Sequence, residues 1–381
     1  MEKKPKICFV VSTLLTVKAF LCDHIKLLSQ EYDIYIVANF KNGETQELQD
    51  LNIKEFKYIP IHREISIKYD IKSLLLLRYY FCKHKFDAIH SITPKAGLLT
   101  ALAGKFSPIN IRIHIFTGQI WHTKNGIKKM GLMFLDRFIS RLNTHILVDS
   151  EPQRQYLINN KIIKSNSSFV IGKGSISGVN LERFTPNSSI REIKREELGI
   201  STNCIVYIFL GRLNRDKGIL DLFQAFNMLL RDTTSVHLLL VGIDEENIIQ
   251  EVAKFKEIKE KHNFTYYGPS SKPEEILQAG DVFCLPSYRE GFGTSVIEAS
   301  CLKLPCICSD TYGLMDTIID GNTGLRHKVG DSRELYKQMK VLSLSSELRK
   351  KMGENGRKYV LQNFAGSTIS LKWLEFYNKI I

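Results

Sequence analysis

Two carboxylates, Glu290 and Glu298, lie in the stretch YREGFGTSVIEASCLKLP of residues 288–305, and the first is followed at once by Gly-Phe-Gly. A helix turns about 100° per residue, so both would share one side only if the whole span were helical. Gly291 and Gly293 argue against that and predict a loop holding Glu290, then a helix from about Thr294 to Cys301 carrying Glu298. Glycine at 291 and 293 lets the backbone approach a ligand that a side chain would hold off. Amides of residues 292–295 at a helix start suit an anion. The two carboxylates can then accept from hydroxyls at opposite ends of one extended ligand, with phosphate-binding amides between them. A nucleoside diphosphate sugar has that layout, with ribose diol, diphosphate and hexose hydroxyls in line.

A second basic loop points the same way. In VYIFLGRLNRDKGILDLFQAF a strand ends at Gly211, a loop with Arg212, Arg215 and Lys217 follows, and a helix begins near Gly218. Two fixed cations beside a helix N-terminus add to its dipole and make an anion site. Arg212 suits a bidentate phosphate contact and Lys217 acts as a mobile point charge. The alternatives are a solvated basic turn here, a plain helix carboxylate at Glu298 and a stabilising helix-start charge at Glu290. Convergence of both loops in one half of the chain favours the binding reading.

Such loops need strands and helices to hold them. KICFVVS, YDIYIVA, FKYIPI, FDAIHSI, IRIHIF and THILVDS are short apolar runs separated by helix-length segments, which predicts α/β units on a parallel sheet. The alternation restarts with CIVYIFLGRL, VHLLLVGID, FTYYG, DVFCLPS and LPCICSD. Between the two runs lies GKGSISGVNLERFTPNSS, a linker composition. The expected architecture is two doubly wound, Rossmann-like α/β domains facing across a cleft, residues 1–175 and 188–364 joined by 176–187. In the last segment, 365–381, Leu371, Leu374, Phe376 and Ile380 fall near helical spacing and Trp373 and Tyr377 are four apart, so it should dock on something.

At 381 residues, 44% hydrophobic, the chain exceeds the size at which one core stops growing. No apolar run is long enough to span a bilayer, and the basic start MEKKPK leads into an apolar run read as a first strand rather than a signal peptide. The eight cysteines show no metal-ligand spacing, and Cys8, Cys204, Cys284, Cys306 and Cys308 sit in apolar runs, as reduced buried thiols do. Residues 1–175 hold 26 Lys and Arg against 14 Asp and Glu; the remainder holds 27 against 26. The first half therefore favours an acidic partner, and the absence of interleaved aromatics or a groove-reading motif favours an anionic membrane surface over nucleic acid. HTKNGIKKMGLMFLDRFISRL joins Lys124, Lys128 and Lys129 to a Met130, Phe134, Phe138 stripe, which reads as a membrane-surface helix or as a core-facing helix with a basic outer side. Lysines of the second half, such as Lys254, Lys256 and Lys259, would take no part in membrane contact.

LGRLNRDKG followed by PSYREGFGTSVIEA resembles the retaining glycosyltransferases of family 4, along nearly the whole chain and including GVN-x3-F at Gly178 to Phe184. FTGQIWHTKNG, LVDSEPQRQYL and GKGSISGVNLERF are most similar to enzymes that build capsule and O-antigen repeat units on undecaprenyl diphosphate. That resemblance implies the GT-B fold, a UDP-sugar donor and a lipid-linked saccharide acceptor at the cytoplasmic face of the bacterial inner membrane. It implies Arg212 and Lys217 on the diphosphate beside Gly211, Glu298 on the ribose, and Glu290 with Gly291, Phe292, Gly293 and Thr294 around the donor sugar. It further implies a last helix crossing back to the first domain. On the acceptor side the chain departs from the pattern, with Val11-Ser12-Thr13 in place of a Gly-Gly pair and Thr117-Gly118-Gln119 in place of a catalytic-side histidine. Ser12, Thr117, Gly118, nearby His122 and Lys95, at the Pro94 turn, are the candidates there. No Asp-x-Asp occurs, so no metal and no cofactor are expected, and fixed cations would stabilise the leaving group. The rival readings are a UDP-N-acetylhexosamine 2-epimerase on the same fold, which needs no acceptor, and a basic nucleic-acid-binding protein.

Overall fold

The computed structural model describes residues 3–41, 43–62, 64, 66–252 and 263–381; Lys254, Lys256 and Lys259 lie outside them. The chain divides into two compact units, one of residues 1–178 and 366–381, the other of residues 179–365.

The first unit runs β1 (Lys6–Thr13), α1 (Leu14–Phe20), α2 (Cys22–Leu28), β2 (Asp33–Asn39), β3 (Glu55–Tyr58), α3 (Ile67–His84), β4 (Ala88–Ile92), α4 (Pro94–Lys105), β5 (Ile111–Phe116), α5 (Gly126–Leu142), β6 (His145–Val148), α6 (Glu151–Asn159) and β7 (Ser168–Val170). Its seven strands lie in the order β3-β2-β1-β4-β5-β6-β7, all parallel. Six of the eight residues of β1 are buried, on both faces, because helices cover the sheet on each side. The order reverses between β1 and β4, and a crevice at the carboxyl ends of such strands is where doubly wound sheets bind ligands.

In the second unit α7 (Ser188–Glu197) opens on Asn187, whose Oδ1 accepts from the Ile190 amide at 3.1 Å. It is followed by β8 (Ile205–Leu210), α8 (Ile219–Asp232), β9 (Val236–Val241), β10 (Phe264–Gly268), β11 (Val282–Leu285), β12 (Cys306–Ser309) and β13 (Gly324–His327). The parallel order is β10-β9-β8-β11-β12-β13, reversing between β8 and β11. Val179 and Phe184, within the expected linker, are buried in this unit's core, and the Val179 amide donates to the Phe364 carbonyl at 2.8 Å.

The C-terminal helix Gly366–Ile380 belongs to the first unit, packed on α2. Its buried face is Ile369, Ser370, Trp373 and Tyr377, while Leu371 of the expected stripe points to water. Trp373 stacks on His24 and His90, at 4.7 and 5.2 Å between ring centres. All eight cysteines are unpaired thiols; Cys8, Cys284, Cys301, Cys306 and Cys308 are buried, whereas Cys204, expected to be buried, is only partly covered because it stands just before β8 begins.

Candidate functional site

β8 and β11 are neighbours at the second unit's switch point, and each of the two loops singled out in the sequence follows one of them. After β8, Gly211 turns the chain, Arg215–Lys217 form a single 3-10 turn, and Gly218 at φ 66° starts α8. Glycine is required at 218 twice over: the left-handed φ, and a Cβ there would lie 2.0 Å from the Pro286 carbonyl oxygen. The loop after β11 is tied to this turn. The Tyr288 amide donates to the Asp216 carbonyl at 2.8 Å, and Arg289 pairs with the Asp216 carboxylate at 3.0 Å.

Between the loops, Lys217 Nζ is bonded to Glu290 Oε1, which also accepts from Ser287 Oγ at 2.8 Å. Glu290 and Ser287 are buried. Arg212 stands about half exposed and is held by Glu245, with Nη1 at 3.0 and 3.1 Å from the two carboxylate oxygens; Asn214 Nδ2 donates to the same carboxylate at 2.8 Å. Both expected anion-binding cations are thus present with carboxylate partners that position them.

Glu298 lies on the helix Thr294–Cys301, partly buried, and its carboxylate has no hydrogen-bond partner among the described residues. Burial pushes its carboxyl up to about 7, opposed by Arg183 and reinforced by Glu274. Arg183 and Glu274 are themselves paired at 2.7 Å.

The Gly-Phe-Gly geometry differs in part from the expected amide nest. The Gly293 amide donates to the Gly313 carbonyl, in the segment after β12, at 3.2 Å and that of Thr294 to the Phe292 carbonyl at 2.8 Å, so two of the amides in 292–295 already have backbone partners. Phe292 turns its ring into the core against Phe364. Gly293 is fixed by packing, since a Cβ there would come within 2.3 Å of Leu314 Cδ2.

The first unit's candidates sit at carboxyl ends of its central strands. Ser12, near the end of β1, and Thr93 after β4 share a 2.8 Å hydroxyl contact at the switch point, with Thr93 at φ 81°, a strained value for a β-branched residue. Lys95 turns toward α3, paired with Asp70 at 2.7 Å and bonded to the Glu64 carbonyl. Thr117 and Gly118 follow β5 and line a small cavity of about 40 Å³ with Pro94, Trp121, Leu132 and Asp136. Trp121 Nε1 donates to Asp136 at 2.8 Å, and burial pushes that carboxyl up to about 6. His122 Nδ1 bonds the Tyr156 hydroxyl at 2.7 Å, and Gln153 ties the ends of β5 and β6 through the Phe116 carbonyl and the Asp149 amide. Ser12 and Thr93 are brought together; Lys95 and His122 point to other partners.

Ser287 and Arg183 stand inside the quoted motifs without a role of their own there, and Glu245 and Glu274 stand outside them; all four neighbour the candidate residues in the fold. Glu245 carries a signal, the acidic run of VGIDEEN after the strand next to β8.

Residues 190–359 match the family model of the glycosyl transferases group 1. The chain is 30% identical over 356 residues to the capsular polysaccharide biosynthesis glycosyltransferase CapM of Staphylococcus aureus, covering 93% of this chain and 92% of CapM. It is 26% identical over 364 residues, 94% of each chain, to the N,N'-diacetylbacillosaminyl-diphospho-undecaprenol alpha-1,3-N-acetylgalactosaminyltransferase of Campylobacter jejuni. Among solved structures, HepE of Anabaena in complex with UDP and glucose superposes with a TM-score of 0.81 at 18% identity, covering 98% of this chain and 100% of that one. Two parallel Rossmann-like sheets with these neighbours define the GT-B fold, and the chain belongs to the glycosyl transferases group 1 family.

Proposed function

We propose that this glycosyltransferase moves a hexose or N-acetylhexosamine from a UDP-sugar to an undecaprenyl-diphosphate-linked sugar, with retention of anomeric configuration, in capsule or O-antigen synthesis. The carrying observation is the second unit's switch point, where Lys217 after β8 meets Glu290 after β11, with Arg212 on the same loop as Lys217 held by Glu245, and Glu298 in the helix that follows the β11 loop. In this reading the donor's diphosphate lies on Arg212 and Lys217 beside Gly211. Glu298 accepts from the ribose hydroxyls, and Glu290 with the loop of Gly291, Phe292, Gly293 and Thr294 holds the sugar. Phe292 contributes backbone alone, its ring being in the core.

As the sugar leaves, negative charge grows on the departing phosphate, and two positioned cations stabilise it without a metal. The same phosphate oxygen takes the acceptor's proton, and the hydroxyl attacks the anomeric carbon from the face the diphosphate leaves. Glu290 keeps Lys217 in place until the phosphate shares its charge. Supporting the acceptor class are the relatives named above and the basic first half of the chain, which suits a lipid-linked acceptor presented at the anionic cytoplasmic face of the inner membrane.

The test is donor turnover. UDP should be released with undecaprenyl-diphosphate sugar supplied and not with donor alone; conversion of the UDP-sugar to its 2-epimer without acceptor would replace this reading by the epimerase.

A further inference from the structure

The helix α3 carries apolar residues on both its inner and its outer side. Its inner face, Ser73, Leu77, Tyr80 and Phe81, is buried. On the outer side Ile67, Ile71, Leu75 and Tyr79 follow one another four apart and are 55–75% exposed, a continuous apolar ridge. Lys68, Lys72, Arg78 and Lys83 are exposed around it. The helix's one acid, Asp70, turns away, paired with Lys95 at 2.7 Å and accepting from the Ser66 amide at 3.1 Å.

α4 packs against both α3 and α5, and α5 repeats the design. Ile127, Met130 and Phe134 are 62–88% exposed with Lys124 and Lys128 beside them, while the single acid of that helix, Asp136, points inward to the Trp121 indole. The two helices thus present apolar and cationic groups outward and keep their acids inside. A helix facing water places polar residues there, and contiguous exposed apolar surface marks a contact site.

We propose that α3 is the element that seats this protein on an anionic bilayer, its Ile67–Ile71–Leu75–Tyr79 ridge entering the headgroup region while Lys68, Lys72, Arg78 and Lys83 bind anionic headgroups, with α5 as the second contact. The inference rests on the membrane-bound acceptor of the proposed function and names the surface that meets the membrane. Charge selects this occupant: a second copy of the chain on the same ridge would set like charges face to face. Lying flat is also the geometry available, since no described helix is long and apolar enough to cross a membrane.

The experiment uses the full chain with vesicles of phosphatidylglycerol and phosphatidylethanolamine, against vesicles of phosphatidylcholine. The triple substitution Ile71→Ser, Leu75→Ser, Tyr79→Ser should weaken binding to the anionic vesicles by roughly tenfold or more, because the inserted apolar area is lost. Its UDP affinity, a property of the other unit, should stay at the parent value and report that the chain has folded. Separately, Leu75→Trp should show a blue-shifted indole emission on anionic vesicles alone, a signal distinct from the buried Trp121 and Trp373. If the parent binds anionic vesicles while the triple variant binds equally well and the indole at 75 stays unshifted, α3 is not the seat, although the membrane reading stands. Binding of the parent to neither vesicle type would remove that reading and this inference together. A parent dimer that the triple substitution makes monomeric, with vesicle binding unchanged, would assign the ridge to a second copy and overturn the proposal.

Discussion

Glu298 is a carboxyl that the fold holds near pH 7, raised from an ordinary 4.5 chiefly by burial. If Glu298 holds the ribose as proposed, only its ionised form accepts from both hydroxyls, so UDP affinity should fall as pH drops below about 7, by roughly tenfold per unit. Glu298→Ala should abolish that slope and weaken binding at pH 8 by about 1.5–3 kcal/mol for each charge-assisted bond lost, read by titration calorimetry. A slope that survives in Glu298→Ala belongs to another group. The same shift acts on stability with the opposite sign: the free protein carries a carboxyl that resists ionisation, so Glu298→Gln should raise the melting temperature at pH 8 and leave it nearly unchanged at pH 4. The Lys217–Glu290 pair is a second residue-scale case. Lys217→Ala leaves a buried carboxylate with Ser287 alone and should cost about 1–3 kcal/mol in urea unfolding, most of it restored by adding Glu290→Gln. Arg212→Ala, at a half-exposed pair, should cost under about 1 kcal/mol. On the proposed leaving-group role both substitutions should lower turnover more than donor affinity, because charge would grow on the diphosphate as the sugar departs; turnover within about twofold of the parent in both would remove that role. These four residues are legible in the sequence because each stands in a loop or helix that follows a readable strand. Their partners are not, since a pair such as Arg212–Glu245 joins loops brought together only by strand order.

At the scale of elements, hydrophobic runs locate most of the strands, and the exceptions are short. β7 has three residues on a sheet edge, and β13 carries Gly324 and Arg326 with no apolar alternation, Gly324 being demanded by contact with the Cys306 carbonyl. The helix Thr294–Cys301 and the turn at Gly218 fall where glycine places them. For α5 the apolar stripe is visible in the sequence, but its direction is not, because periodicity fixes which residues share a face and not what that face meets. Met130 and Phe134 prove to be exposed. The C-terminal helix shows the same limit: Trp373 and Tyr377 define its docking face, and Leu371 does not. Its seat contains His24 and His90, with Ser370 Oγ 2.9 Å from His24 Nδ1 and the Tyr377 hydroxyl 2.7 Å from His90 Nδ1. Burial holds His24 at about 4 and His90 well below its ordinary 6.5, so both stay neutral in the folded chain where the unfolded chain already binds a proton. Stability contributed by the neutral rings is complete above about 6.5 and is lost as pH falls toward 4, about 2 kcal/mol for His24 at pH 5. Urea midpoints between pH 7 and pH 5 should drop accordingly, and His24→Gln should flatten that drop; an equal drop in the variant would place the acid sensitivity elsewhere.

Across the whole molecule the charge is divided by unit rather than spread, with 26 basic and 14 acidic side chains in residues 1–175 and near balance beyond. That division is legible in the sequence, because net charge is a sum over residues, whereas the exposure of the lysines that express it depends on how the helices pack. Lys124 and Lys128 are exposed and Lys129 partly so. A basic side chain near an anionic bilayer contributes about 1 kcal/mol, and the attraction decays within a Debye length of about 8 Å at physiological salt. Long-range attraction of this kind should therefore be additive over several lysines, reversible and sensitive to salt. In a sedimentation assay the protein should pellet with anionic vesicles at low salt, leave them as salt is raised toward about 1 M, where the Debye length falls to about 3 Å, and ignore neutral vesicles throughout. Replacing Lys124, Lys128 and Lys129 together by glutamine should shift the salt midpoint downward without changing the melting temperature. The matched change at Lys350, Lys351 and Lys358, exposed on the balanced second unit, should leave that midpoint in place. Equal pelleting on neutral and anionic vesicles would mean that apolar insertion alone holds the protein. A salt midpoint moved as far by the second set as by the first would mean that net charge, not its placement on the first unit, governs the attraction.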